Sequence, residues 1–88
     1  VPWAYRLTDV ALKQLGKLDR QAQVEIVRFL DERIAGPENP ERFGKPLRGD
    51  LRGRWRYRVG NYRIICKFER AQVSVLVLQV GHRSTVYD

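Results

Sequence analysis

The chain has 88 residues, with 17 Lys and Arg against 10 Asp and Glu, for a formal charge of +7 at neutral pH. Residues 1–88 are too few for two cores and read as a single domain, expected to be soluble and cytoplasmic, since domains run to roughly 100–150 residues. One cysteine, Cys66, excludes an internal disulfide framework; one His with one Cys cannot build a zinc site; and no apolar run approaches the ~20 residues that span a bilayer.

Trp3, Tyr5 and Leu7 alternate with Ala4 and Arg6, which predicts a short first strand. Thr8 or Asp9 can accept the first free backbone N–H groups of a helix whose stripe is Val10, Ala11, Leu15 and Leu18. Asp19 is placed to cap a second helix, with Ile26, Val27, Leu30 and Ile34 on one face and Gly36-Pro37 as its stop. The two form a helical hairpin. Residues 36–53, rich in Gly, Pro and charge, are expected to be a connection. Three strands follow, Arg54–Val59, Tyr62–Phe68 and Val73–Val80, with Gly60-Asn61 as a two-residue turn between the first two. The third, VSVLVLQV, reads as a central strand covered on both faces. The predicted class is α+β, in the order β-α-α-β-β-β, with the helical hairpin packed on a small, twisted, antiparallel-rich sheet.

The charge is concentrated in the second half. Residues 1–41 carry six basic and seven acidic side chains, whereas residues 42–88 carry eleven basic ones against Asp50, Glu69 and Asp88. If Gly60 and Asn61 close the turn, Val59 faces Tyr62, and the register follows. Trp55, Tyr57 and Val59 then share the core face with Tyr62, Ile64, Cys66 and Phe68, because side chains alternate with period two. The other face collects Arg54, Arg56, Arg58, Arg63 and Lys67, with Arg58 across from Arg63 and Arg54 across from Lys67. Like charges directly opposed in a sheet are destabilising by up to roughly 1 kcal/mol a pair. An anion seated among them accounts for the pattern, and arginine's planar fork suits phosphate oxygens. Arg48 and Arg52, in the connection just ahead, are expected to add phosphate contacts.

The tail from Gly81 to Asp88 brings His82, Arg83, Ser84, Thr85 and Tyr87 together after the central strand. His82 is the side chain whose reference pKa lies nearest neutrality, which makes it the candidate for proton transfer. Cys66, on the core face, reads as a small buried hydrophobe.

Three segments taken in order resemble the RelE family of toxins from bacterial and archaeal toxin–antitoxin pairs. They are Pro46-Leu47-Arg48-Gly49-Asp50-Leu51; Trp55-Arg56-Tyr57-Arg58-Val59-Gly60-Asn61-Tyr62-Arg63-Ile64-Ile65; and Val80-Gly81-His82-Arg83 with Val86-Tyr87. The resemblance covers essentially the whole chain and implies a fold like a microbial ribonuclease. It also implies ribosome-dependent cleavage of messenger RNA in the A site. The ribose 2′-hydroxyl attacks the adjacent phosphate, with no metal and no cofactor, leaving a cyclic phosphate and a free 5′-hydroxyl. The implied partners are messenger RNA on the ribosome, the surrounding 16S rRNA, and a RelB-like antitoxin that forms a hetero-oligomer with the toxin and silences it; no membrane is involved.

Carried over by position, Arg56 and Arg58 match two basic residues of the strand lining the active site. Arg63 matches the arginine that binds the scissile phosphate, and Arg83 the tail arginine that supports the transition state or the leaving oxygen. Tyr87 matches the aromatic that stacks on a base. Arg54, Lys67, Arg48 and Arg52 would add contacts to RNA. Well-studied relatives have lysines at the positions of Arg56 and Arg58, and arginine does not lose its proton in proteins, so these two would stabilise charge rather than act as base. His82 stands where a lysine often does, and some relatives use a tail histidine for acid/base work. A different reading of the same fold is a ParE-like toxin that inhibits DNA gyrase by binding and cleaves nothing.

Overall fold

The computed structural model describes residues 2–83. Strand β1 (Ala4–Leu7) leads into helices α1 (Asp9–Gly16) and α2 (Arg20–Phe29). Strands β2 (Lys45–Pro46), β3 (Arg54–Val59), β4 (Tyr62–Glu69) and β5 (Ser74–His82) complete one five-stranded sheet in the order β1-β5-β4-β3-β2. β1 runs parallel to β5 and every other neighbour is antiparallel, so the α+β, antiparallel-rich expectation holds. β4 runs one residue further, to Glu69, and β5 starts one residue later, at Ser74, than predicted, and two larger differences bear on the site. The connection contains a strand, β2, because Lys45 and Pro46 pair with Arg56 and Trp55 at the sheet edge. The last strand does not stop at Val80: Gly81 and His82 stay in register with Arg63 and Tyr62, so they belong to the sheet rather than the tail.

The caps fall where short polar side chains can reach free amides. The Thr8 hydroxyl accepts from Ala11 N–H at 3.1 Å, and an Asp19 carboxylate oxygen accepts from Ala22 N–H at 2.8 Å. Thr8 also fastens the start of α1 to the sheet, since its N–H donates to Val77 C=O at 3.0 Å and its hydroxyl to Leu78 C=O at 3.3 Å. Ala22, Ile26, Leu30 and Ile34 recur every four residues and are buried, and the last turn widens to a π-helical Leu30–Ile34. Val27 and Val10 were expected on these stripes but face outward, 38% and 57% exposed. The reason is geometric: α2 presents only the narrow i, i+4 row to β3, and α1 meets β5 through Ala11 and the half-buried Leu15. After Ile34 the chain reverses at Gly36, whose φ of +125° a side chain would oppose, and Gly36 exchanges two backbone hydrogen bonds with Trp3.

The core lies between the helices and one sheet face. Tyr57, Ile64, Cys66, Val75, Val77 and Val80 meet Ala11, Ile26, Leu30 and Ile34 there. Tyr57 is fully buried, donates its hydroxyl to Pro40 C=O at 2.7 Å and stands edge-on to Phe29 with ring centroids 5.5 Å apart. Gly44 passes close beside it, where a Cβ would stand 3.0 Å from the Tyr57 ring, a tight contact. Burial pushes the Cys66 thiol well above its ordinary range, in keeping with its reading as a small buried hydrophobe. Among the described residues no helix is long and apolar enough to cross a membrane.

Candidate functional site

The hairpin register is the predicted one throughout: Arg54 pairs with Lys67, Trp55 with Cys66, Arg56 with Ile65, Tyr57 with Ile64, Arg58 with Arg63 and Val59 with Tyr62. With the helices covering the Tyr57 and Ile64 side, the opposite face of β3 and β4 carries Arg54, Arg56, Arg58, Arg63 and Lys67. Arg63, on β4 between β3 and β5, is 9% exposed. The Nε atoms of Arg63 and Arg56 are buried, whereas Arg58 and Lys67 are exposed at this surface. Guanidinium groups remain charged at any physiological pH, so this face holds a fixed positive field over a sheet floor.

The far end of β5 is set by a bulge. Cys66 pairs with Val77 but Ile65 pairs with Gln79, so Leu78 is an extra residue on β5. β1 ends opposite Val77, and beyond the bulge the Gln14 side chain of α1 accepts from Val80 N–H at 2.8 Å in place of a neighbouring strand. Gly81 then lies opposite Arg63, contributing no side chain beside it, and Arg83 N–H donates to Asn61 C=O at 2.8 Å. That backbone bond holds Arg83, the first residue beyond β5, at the turn end of the hairpin where Arg58 and Arg63 pair.

The other sequence candidates are distributed as follows. His82 pairs with Tyr62 in register and its ring stands edge-on to that tyrosine at 5.7 Å, on the side of the sheet away from the arginines. Arg48 and Arg52 flank a single 3₁₀ turn (Gly49–Leu51) ahead of Arg54, a strand's length from Arg58, and both are exposed. Tyr87 lies outside the described residues. One cation was missed in the sequence reading. Lys45 pairs with Arg56 and so joins the same face, exposed at its edge. A two-residue strand with a proline carries no alternation to read; its signal is only the pairing with β3.

Two carboxylates of the described residues are engaged by arginines outside the β3–β4 cluster. Glu69, the next residue of β4 on that side after Lys67, is held by Arg6 of β1 at 3.1 Å. Glu41 is engaged by Arg70, whose hydrogen bond lowers the carboxyl below its ordinary range. A shallow groove of about 550 Å³ along the outer side of α2, lined by Val24, Val27, Arg28 and Asp31, lies away from the cations.

Comparison with known proteins adds a family. The ParE toxin of type II toxin–antitoxin systems, parDE, matches residues 5–87. Over 87 residues the chain is 32% identical to toxin RelG of Mycobacterium tuberculosis, covering 99% of this chain and 98% of the relative. It is also 32% identical over 88 residues to toxin RelE of the same organism, covering 98% and 87%. The crystal structure of the M. tuberculosis toxin–antitoxin complex RelBE2 contains a chain that matches with a TM-score of 0.86 at 34% identity, over 94% of this chain and 100% of that one. The archaeal RelE–RelB complex of Pyrococcus horikoshii matches with a TM-score of 0.70 over 98% and 100%; at 21% identity it speaks to the fold alone.

Proposed function

The chain belongs to the RelE/ParE family of type II toxin–antitoxin toxins, and from that premise we propose that it is a ribosome-dependent endoribonuclease that cuts messenger RNA in the A site. The observation that carries this reading is the pairing of Arg58 with the nearly buried Arg63 at the turn end of the hairpin, with Arg56 one row behind and Arg83 tied to Asn61. Two opposed guanidinium groups on neighbouring strands repel, and a phosphate between them turns that repulsion into two charge-assisted hydrogen-bonding partners.

In the proposed reaction the ribose 2′-oxygen bonds to the adjacent phosphorus and the bond to the 5′-oxygen of the next nucleotide breaks. The 2′-hydroxyl gives up its proton to water and the departing 5′-oxygen takes one from water, so a cyclic phosphate and a 5′-hydroxyl result. Negative charge grows on the non-bridging oxygens in the transition state, and Arg63, Arg58 and Arg56 stabilise it; Arg83 supports the leaving oxygen. Guanidinium groups do not accept protons, so the rate derives from charge stabilisation and from alignment of the RNA. His82, against Tyr62 on the other side of β5, takes no part in this scheme. Tyr87 would stack on a base. The partners are mRNA and 16S rRNA in the cytoplasm, and a RelB-like antitoxin whose acidic segment covers the basic face.

Primer extension on a defined mRNA tests this, with purified protein in the presence and absence of programmed ribosomes. Ribosome-dependent cuts at fixed codon positions, lost in Arg63→Ala with an unchanged circular dichroism spectrum, are expected. Growth arrest on expression without new RNA ends would overturn the nuclease reading in favour of gyrase inhibition, which a DNA supercoiling assay would then measure.

A further inference from the structure

We propose that the basic face is a ladder of three cationic rungs, each holding one phosphate of a single RNA strand that runs along β3 and β4, and that Lys45 is a binding residue of the middle rung. The inference rests on the RNA reading above. The rungs are the register pairs Arg58–Arg63, Lys45–Arg56 and Arg54–Lys67. Same-face positions in an antiparallel strand are two residues apart, so the rungs succeed one another at about 6.8 Å. Successive phosphates of an extended single strand are separated by a comparable length, and a positively charged track along the backbone is how proteins hold single strands.

Both ends of the ladder are defined. Beyond the first rung the chain turns at Gly60-Asn61, with Arg83 bonded there. Beyond the third, the next position of β4 on this face is Glu69, a carboxylate already held by Arg6, so the positive field stops. Arg58 and Arg63 therefore sit at one end, and the two further rungs lie to one side of the phosphate they hold. In the middle rung Arg56 is half-buried between Ile65 and the exposed Lys45 at the sheet edge.

Neutralising one phosphate of a single strand contributes about 0.7 to the slope of log K against log salt. The test is the binding of the full chain to an uncleavable 2′-O-methyl oligouridine, followed by fluorescence anisotropy over a salt series. Each phosphate keeps the arginine of its rung, so Lys45→Ala and Lys67→Ala should each flatten the slope measurably but by no more than about 0.7, and the double variant by no more than about 1.4. Lys13→Ala, exposed on α1, should leave it unchanged. Ribosomal cleavage is measured in parallel. A wild-type slope in Lys45→Ala, with cleavage by the wild type intact, overturns the ladder and leaves the nuclease reading standing. The predicted slopes without cleavage support the ladder and refute the nuclease. Absence of oligouridine binding, or tighter binding to duplex DNA of equal length, overturns the ladder.

Discussion

Lys67→Glu is expected to make this protein more stable while weakening its hold on RNA. Lys67 lies directly across from Arg54, with Lys67 exposed and Arg54 half-buried. With the charged heads ~6 Å apart in water, their repulsion is about 0.7 kcal/mol, and reversing one sign replaces it with an attraction of similar size. Cross-strand pairs measured in sheets span roughly 0.2–1 kcal/mol, so about 1 kcal/mol is the realistic gain. For a domain of this size that raises Tm by about 4–8 °C. Lys67→Gln, which removes repulsion without adding attraction, should gain about half as much. Thermal unfolding followed by circular dichroism at low salt reads both. In ~1 M salt the Debye length falls to about 3 Å and the gain should vanish. An unchanged or lowered Tm for Lys67→Glu at low salt would refute the reasoning, because the face would then not be self-repelling and would have no need of an anion. The expected outcome is stability given up for a binding surface.

Two further outcomes concern the frame that holds the site. Tyr57→Phe removes the hydrogen bond to Pro40 C=O inside the core and leaves that carbonyl buried, so a loss of about 1–3 kcal/mol is expected in urea unfolding. The phenol of Tyr5 is pushed up to about 12 by burial, by its 2.5 Å hydrogen bond to Asp31 and by that carboxylate's charge. Since its folded pKa lies above the unfolded value of 10.0, its contribution is fully present below pH 10 and is lost as pH rises towards about 12. The stability difference between wild type and Tyr5→Phe should therefore shrink over that interval, and a difference that stays flat would contradict it.

Much of this molecule is legible in its sequence because its informative elements are local. The turn at Gly60-Asn61 fixes one pairing, and period-two alternation then assigns every residue of β3 and β4 to a face; five cations fall together without any knowledge of the helices. Thr8 and Asp19 announce two helix starts for the same reason, since a cap acts within three residues. What depends on distant chain segments could not be read this way. Lys45 joins the basic face through its pairing with Arg56, made where the chain passes close to the Tyr57 ring at Gly44. His82 belongs to the sheet and not to the tail: β5 extends past Val80, and alternation sends His82 to Tyr62, while the Arg83 backbone is tied to Asn61 at the turn. The bulge at Leu78, fastened by Thr8 and followed by the Gln14 bond to Val80, sets where that strand ends relative to Arg63. Side-chain chemistry and short-range periodicity are properties of the chain itself; which strand an edge residue pairs with, and which face a strand's last residue meets, are decided by packing between segments far apart in sequence.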